Sequence, residues 1–364
     1  MNEKEIYQEI KERINSVKLF NNYSIDIIVD SNSDDDRRKY KVRKLEFHSD
    51  VSDEFSNEIL SLIKNENQKI EKADKSWNIF YVYKEIFQLL VNSKIYKFNY
   101  FRGQNGDWEL KPGLFRPGLN ANFIKNYDQI YNKICKEYPD VIKYVPLNED
   151  DLSNVEERAC QLALLQHYGY RTSLLDITKN PFISLQFMVI GCDENKWNDN
   201  TIYAFSIDEV KHSLHNIYVS TSENKNNARM RAQEGAFLDY DRLYRIEQSK
   251  IVMIPLVKIR LKFASSKELM IDNELKKIRK IVNKIGQEER TINFLNEVSN
   301  QYKLQKEQID EIKDNLYKYI NEDIVTKLRE FYYFQEDLFP DFNDYLAFTR
   351  NKYMVKENTK QLNN

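Results

Sequence analysis

Arg102 is the first residue of this sequence that could bind a ligand. It ends an aromatic, strand-like run that begins at Tyr100, and Gly103 and Gln104 follow it. A guanidinium group is planar, permanently charged and suited to a phosphate or a carboxylate. Glycine has no side chain, so a ligand can come close to the backbone beside it. We therefore predict that Arg102 and Gln104 bind an anion at a sheet edge. The structural alternative is a buried arginine paired with an acid such as Asp176.

A second group of candidate residues lies in the middle of the chain. His167 falls in the last turn of a predicted helix, where the helix dipole favours a protonated imidazole. Asp176 ends a short predicted strand, and functional side chains are often found at such positions. We expect Asp176 to orient His167 or to pair with Arg102 or Arg171. We expect Tyr168 to offer an aromatic face to the ligand.

In a third polar segment, Asn227 to Leu238, Gln233 and Glu234 precede a glycine turn that leads into a predicted strand. Its amide and carboxylate groups could hydrogen-bond a ribose or activate a hydroxyl. We predict Glu234 and His167 as catalytic residues. The ligand-binding residues predicted in this segment are Asn227, Arg229 and Gln233. Polar groups at the ends of separate elements usually meet where a site is built, so we expect these groups to share one cleft with Arg102.

Taken in their order along the chain, the segments around Arg102, His167 and Glu234 resemble the FRG domain, a bacterial family named for its Phe-Arg-Gly motif. The resemblance runs from Phe98 to about Leu261 and resumes at Leu338 in the sequence LFPDFNDYLAF. It implies that the His-Tyr-Gly sequence at His167 belongs to the defining motif. It also implies that glutamine is common in the family at the position of Glu234. The family association further implies a toxin or a phage-defence effector.

The residues leave three function classes open. An arginine, a Ser-Thr-Ser sequence and a glutamate follow one another in an order similar to that of ADP-ribosyltransferases; here they are Arg102, Ser220 to Ser222, and Glu234. In this hypothesis NAD is the cofactor, and Arg102 holds its diphosphate. Glu234 would then hydrogen-bond the nicotinamide ribose and stabilise the developing positive charge. The sequence has no GxGxxG or P-loop signature that would indicate NAD or a nucleotide independently.

The second class is a non-catalytic module that binds a nucleotide or a protein partner. Several aromatic residues near Arg102 could stack on a base. The third class is a nuclease or another hydrolase, for which the sequence offers no paired-carboxylate metal motif. The net charge of −2 gives no global basic field for nucleic acid.

Composition limits the remaining possibilities. The 364 residues are 41% hydrophobic and 31% charged, as in a folded protein. The cysteines and histidines form no ligand cluster, so we expect no metal site. The charged N-terminus has no apolar signal region, and no apolar run is long enough to cross a bilayer. We expect a cytoplasmic protein without a membrane partner.

The elements that position these residues predict an α+β fold, in which a mixed sheet is flanked by helices. Ser153 and Glu156 form a capping box, and Asn180–Pro181 begins another helix. We predict an N-terminal α/β part and a helical hairpin, broken at Gly286, that is inserted near the C-terminus. The predicted boundaries are 1–95 for the N-terminal part, 96–266 for the FRG core, 267–332 for the hairpin, 333–350 for the end of the core and 351–364 for a polar tail.

Overall fold

The protein is described by a computed structural model that covers residues 3–32, 38–73, 77–147, 153–190, 196–220, 234–282, 289–338 and 346. Its strands form one mixed sheet of eight strands. They are β1 (Phe20–Ser31), β2 (Tyr40–Ser49), β3 (Tyr100–Gln104), β4 (Leu174–Thr178), β5 (Thr201–Phe205), β6 (Tyr218–Val219), β7 (Gly235–Asp239) and β8 (Ile254–Phe263). The strand order is β2-β1-β8-β5-β3-β4-β7-β6. The predicted α+β fold with a mixed sheet is confirmed.

Strand β1 joins the N-terminal part to the rest of the sheet. It pairs in parallel with β8, in a register that places Ile25 opposite Ile259. The other strand pairs described are antiparallel. The N-terminal strands therefore extend the same sheet as the strands that follow residue 95, while the domain boundary at that residue stays a prediction.

Ten helices surround the sheet in the described part of the chain. They are α1 (Glu3–Ser16), α2 (Glu54–Lys72), α3 (Ile79–Val91), α4 (Ala121–Lys125), α5 (Tyr127–Glu137), α6 (Ser153–His167), α7 (Pro181–Val189), α8 (Glu209–His215), α9 (Ser266–Val282) and α10 (Glu289–Glu330). None of these helices is apolar over a stretch that could cross a membrane.

Two hydrophobic cores lie on opposite faces of the sheet, because neighbouring side chains of a strand point to opposite faces. Phe101 belongs to one core and the adjacent Tyr100 to the other. Helices α2, α3, α7 and the C-terminal half of α10 bury apolar side chains in the Phe101 core. Apolar side chains are buried in the Tyr100 core by helices α1, α4, α5 and α6. Both faces of β3 therefore contribute side chains to a hydrophobic core.

Arg158 of α6 ties several elements together beneath the Tyr100 core. Its guanidinium group is buried and lies 2.8 Å from the Asp128 carboxylate and 2.9 Å from the Asp241 carboxylate. It also donates to the Tyr7 hydroxyl at 2.7 Å. A buried charge needs this number of partners to offset its desolvation, so we assign Arg158 a structural role.

The C-terminal helices agree with the predicted hairpin. Lys306 of α10 lies 2.7 Å from Asp272 of α9, which holds the two helices side by side. Further along α10, apolar side chains that include Leu316 and Ile320 pack into the Phe101 core. Gly286 lies outside the described residues, as does most of the segment from Leu338 to Phe348.

Two elements differ from the sequence predictions, which place one helix over 122–136 and a strand over 96–102. The first is two helices: α4 ends at Lys125, and the side-chain amide of its C-cap residue, Asn126, donates to the Asn122 carbonyl oxygen at 2.7 Å. The strand begins only at Tyr100. Helix α8 was not predicted.

Candidate functional site

A cleft of about 640 Å³ opens beside β3, β4 and the start of β7. The loop after β3 and the C-terminal ends of α6 and α7 complete its walls. The lining residues that could contact a ligand through polar, charged or aromatic groups include Arg102, Gln104, Trp108, Arg116, His167 and Asp176. Its apolar part includes Phe187, Ile190 and Phe237. A cleft of this size with a few convergent polar groups has the character of a small-molecule site.

Arg102 lies largely buried in this cleft, with 16% of its side chain exposed. Its Nη1 donates to the backbone oxygen of Asp176 at 2.7 Å and lies 3.8 Å from the Asp176 carboxylate. Its Nε is buried and makes no hydrogen bond. Burial lowers the pKa of Arg102; Asp176 opposes this shift, and the charge of Arg116 adds to it. Arg102 thus has a buried N–H group without a hydrogen-bond partner, in an environment that disfavours its positive charge.

Arg116 brings a second guanidinium group to the same cleft. Its Nε donates to the backbone oxygen of Lys111 at 2.8 Å. Burial lowers its pKa, the Asp176 carboxylate opposes the shift, and Arg171 adds to it. Among the described residues no carboxylate forms an ion pair with Arg116. The Asp176 carboxylate therefore acts electrostatically on both Arg102 and Arg116.

Asp176 is held in place by Gln166. The Gln166 amide nitrogen donates to both carboxylate oxygens, at 2.7 and 2.8 Å. The Thr172 hydroxyl in turn donates to the Gln166 amide oxygen. Neither Gln166 nor Arg116 was predicted as a site residue. Their nearest signals in the sequence were the position of Gln166 beside His167 and that of Arg116 at the end of the aromatic run that starts with Tyr100.

His167 lines the cleft at the end of α6, and its ring meets the Tyr168 ring edge-on at 5.0 Å. Tyr168 is 62% exposed and is not part of the lining. Gly169 has a φ of 82°, and its N–H and that of Tyr170 donate to carbonyl oxygens of the last helical turn at 3.0 and 3.1 Å. This pattern is a Schellman motif, so the His-Tyr-Gly sequence ends a helix.

Gln104 is buried at the end of β3. Its amide nitrogen donates to the backbone oxygen of Trp108 at 3.1 Å. The side of Gly103 on which a β-carbon would stand faces helix α7, because such a β-carbon would lie 2.7 Å from the Met188 amide nitrogen. Gly103 also lines the cleft, so the expectation that a ligand comes close to its backbone stays a prediction.

Glu234 lies just beyond the cleft. Its carboxylate accepts from the Asn180 amide at 3.1 Å, and its backbone oxygen accepts from the Lys179 N–H at 3.0 Å. Gly235 belongs to the lining, but Glu234 does not. The structure thus brings together Arg102, Gln104, His167 and Asp176 and leaves Tyr168 and Glu234 outside. The predicted ligand-binding residues Asn227, Arg229 and Gln233 lie outside the described part of the chain. The same is true of Thr221 and Ser222 of the Ser-Thr-Ser sequence.

One cluster with metal-ligand chemistry occurs in the described residues, formed by Asp26, Glu46 and His48. The Asp26 carboxylate lies 2.7 Å from Arg260 Nε and 2.9 Å from Lys262 Nζ. Two cations already neutralise this carboxylate, so the cluster is a salt-bridge network between β1, β2 and β8.

Comparison with known proteins supports the family resemblance for part of the chain. The family model described as the FRG domain matches residues 97–197. This range contains Arg102, Arg116, Gln166, His167 and Asp176, but not Glu234. Searches of the curated proteins and of the solved structures found no similar protein.

Proposed function

Residues 97–197 form an FRG domain, and we propose that its cleft binds the phosphate group of a small nucleotide. The observation that carries this proposal is the charge arrangement around Asp176. Arg102 and Arg116 line the cleft together with this carboxylate, and the buried Nε of Arg102 has no hydrogen-bond partner. A phosphate would supply the missing negative charge and the missing acceptors, because arginine binds phosphate through several charge-assisted hydrogen bonds.

The cleft can also hold the rest of such a ligand. Its volume of about 640 Å³ is typical of small-molecule sites. Beside the arginines it offers apolar walls from Phe187, Ile190 and Phe237. A ligand that is anionic at one end and apolar at the other would match both parts of the lining.

The position of Glu234 favours binding over NAD-consuming ADP-ribosyl transfer. Transfer needs a carboxylate that stabilises positive charge on the ribose beside the bound diphosphate. The Glu234 carboxylate hydrogen-bonds Asn180 and does not line the cleft. A role in a toxin or phage-defence system rests on the family resemblance alone.

Calorimetric titration of the full-length chain with ADP, NAD and pyrophosphate tests the proposal. We expect measurable binding, which Arg102→Gln and Arg116→Gln should weaken. Losing a charge-assisted hydrogen bond costs ~1.5–3 kcal/mol, which corresponds to a loss of affinity of roughly ten-fold to more than a hundred-fold. Arg329→Gln is the matched control, because Arg329 is an exposed arginine of α10 that does not line the cleft.

Two outcomes would overturn the proposal: no binding of any of the three ligands by the wild type, or equal binding by the wild type and both cleft variants. Thermal denaturation of each variant separates lost binding from lost folding. If Arg102→Gln unfolds, Arg116→Gln remains decisive. Release of nicotinamide from NAD by the wild type would instead favour the transferase hypothesis.

A further inference from the structure

We infer that Trp108 stacks on the base of the ligand, which makes the ligand a nucleoside phosphate and not a sugar phosphate or an inorganic phosphate. This inference rests on the proposed function, since it concerns the same cleft. Trp108 lines the cleft, and 55% of its surface is exposed. Exposed indole rings in a cleft that also carries cations are the usual platforms for nucleic-acid bases.

The other aromatic residues near Arg102 in the sequence are placed differently. Tyr100, Phe101 and Phe115 are buried in the two hydrophobic cores. Tyr168 is exposed but lies outside the lining. Of these aromatic residues, Trp108 alone combines exposure with a place in the cleft.

The loop holds the Trp108 backbone and ring in a fixed position. The backbone oxygen of Trp108 accepts from the Gln104 amide at 3.1 Å and from the Tyr203 hydroxyl at 2.6 Å. The indole nitrogen donates to the Asn105 side chain at 3.4 Å. A β-carbon on Gly106 would lie 2.6 Å from that nitrogen, so the glycine leaves room for the ring. A ring held in this way loses little conformational freedom when a ligand binds.

The charges of the cleft make its arginines the place for a phosphate. The carboxylates on either side of Trp108 in the chain are neutralised: Glu109 lies 2.7 Å from Lys111, and Asp107 forms an ion pair with Lys258. Arg102 and Arg116 line the same cleft, where burial lowers the pKa of both. A neutral aromatic base at Trp108 and a phosphate at the arginines would match these charges.

Tryptophan fluorescence provides the test. The chain has three tryptophans, and Trp197 is only 9% exposed, while Trp77 is partly buried in the Phe101 core. We expect ADP to quench the emission of the wild type, and we expect ribose 5-phosphate and pyrophosphate to leave it unchanged. The quench should disappear in Trp108→Phe, which keeps an aromatic ring but removes the indole signal.

Affinities measured by calorimetry complete the test. Trp108→Ala should weaken ADP binding by roughly five-fold to more than a hundred-fold, the contribution of one stacked base. Binding of pyrophosphate should not change. Trp108 is exposed, so we expect this variant to fold; its melting temperature checks this.

The outcomes separate the inference from the proposed function. If pyrophosphate and ADP bind equally well and Trp108→Ala changes neither, the stacking inference is wrong and the phosphate site stands. If Trp108→Ala weakens both ligands to the same extent, Trp108 supports the loop and does not read the base, which also overturns the inference. If the wild type binds none of the ligands, the proposed function itself fails.

Discussion

A β-carbon placed on Gly103 would overlap the carbonyl oxygen of Ser184, because helix α7 lies directly against strand β3 at this point. Phe101, two residues earlier, is buried against Phe87 with ring centroids 5.6 Å apart. In the Phe-Arg-Gly sequence, Phe101 and Gly103 thus pack against helices, and Arg102 supplies a guanidinium group to the cleft. The motif builds the site wall and supplies its cation at the same time.

Gly103→Ala should therefore destabilise the protein strongly. Overpacking a close contact usually costs 1–3 kcal/mol, and the obstacle here is backbone that cannot rotate away, so we expect a loss of ~3 kcal/mol or more. The free energy of unfolding, measured in urea, checks this. Gly113→Ala is the control: its β-carbon would meet Arg171 at 3.5 Å, an ordinary contact, and its effect should stay within ~1 kcal/mol. Equal stability of Gly103→Ala and wild type would contradict the close packing of α7.

A capping signal in the sequence predicted where helix α7 begins. The Asn180 side chain accepts from the Phe182 N–H at 3.0 Å, and Pro181 occupies the first turn, as predicted for the start of α7. Helix α8 could not be predicted from apolar periodicity, because its apolar residues Val210 and Leu214 are exposed and His212 is buried. Its remaining signal was a single capping residue before a seven-residue segment.

The His-Tyr-Gly sequence yields a second prediction. Gly169 has a φ of 82°, which costs other residues ~1–2 kcal/mol. Gly169→Ala should therefore lower the free energy of unfolding by about that amount. It should leave ADP affinity unchanged, because the glycine ends α6 and does not contact the ligand.

Gly118→Ala provides the matched comparison, since Gly118 has a φ of 90° and open space around it. Both variants should lose similar stability. A fall in ADP affinity confined to Gly169→Ala would show that the turn after His167 acts in binding, contrary to this expectation.

The third prediction concerns pH. Asp239 is buried, and its carboxylate accepts from the Asp241 N–H at 3.0 Å. Burial, together with the Asp241 carboxylate, raises the pKa of Asp239 to about 7. An aspartate in the unfolded chain has a pKa of ~3.9. Because the folded value is the higher one, ionisation of Asp239 opposes folding. This penalty is absent below pH ~4 and grows as the pH rises to about 7.

Asp239→Asn removes this penalty and keeps an oxygen that can accept from the same N–H. The variant should therefore gain stability relative to the wild type as the pH rises from 5 to 8, by up to a few kcal/mol. Urea unfolding at several pH values measures the difference. Asp50→Asn, at an exposed aspartate, is the control for the effect of the substitution itself. A constant difference for Asp239→Asn would mean that this carboxylate ionises normally in the folded protein.

The other residues of the cleft were harder to predict than Arg102. Arg102 could be identified because aromatic residues precede it and a glycine follows it, although the structure places it in the middle of β3 and not at the end of a strand. Gln166 acts through contacts with Asp176 and Thr172 that depend on how α6 meets β4. Arg116 reaches the cleft along an irregular loop, with Lys111 as its hydrogen-bond partner. Such contacts join segments without a periodic pattern, so no local signal in the sequence encodes them.

Gln166→Glu tests the carboxylate that the two arginines share. The substitution replaces the amide that donates to Asp176 with a second carboxylate. The added negative charge would compete with a phosphate for Arg102 and Arg116 and weaken binding at pH 8 by ~1–2 kcal/mol. Two carboxylates this close raise the pKa of one of them, so acidification to pH 5 should restore much of the affinity. NAD is the suitable probe, because its diphosphate is esterified at both ends and lacks the ionisation that phosphate monoesters undergo near pH ~6.

The control is Gln161→Glu, which adds the same charge to the same helix. Gln161 accepts from the Lys143 N–H at 3.0 Å and does not line the cleft, so its variant should bind NAD like the wild type at both pH values. Gln166→Glu should differ from it at pH 8 and approach it at pH 5. If the two variants bind NAD equally at pH 8, the charge on Asp176 does not govern the arginines, and phosphate binding would have to depend on other groups of the cleft.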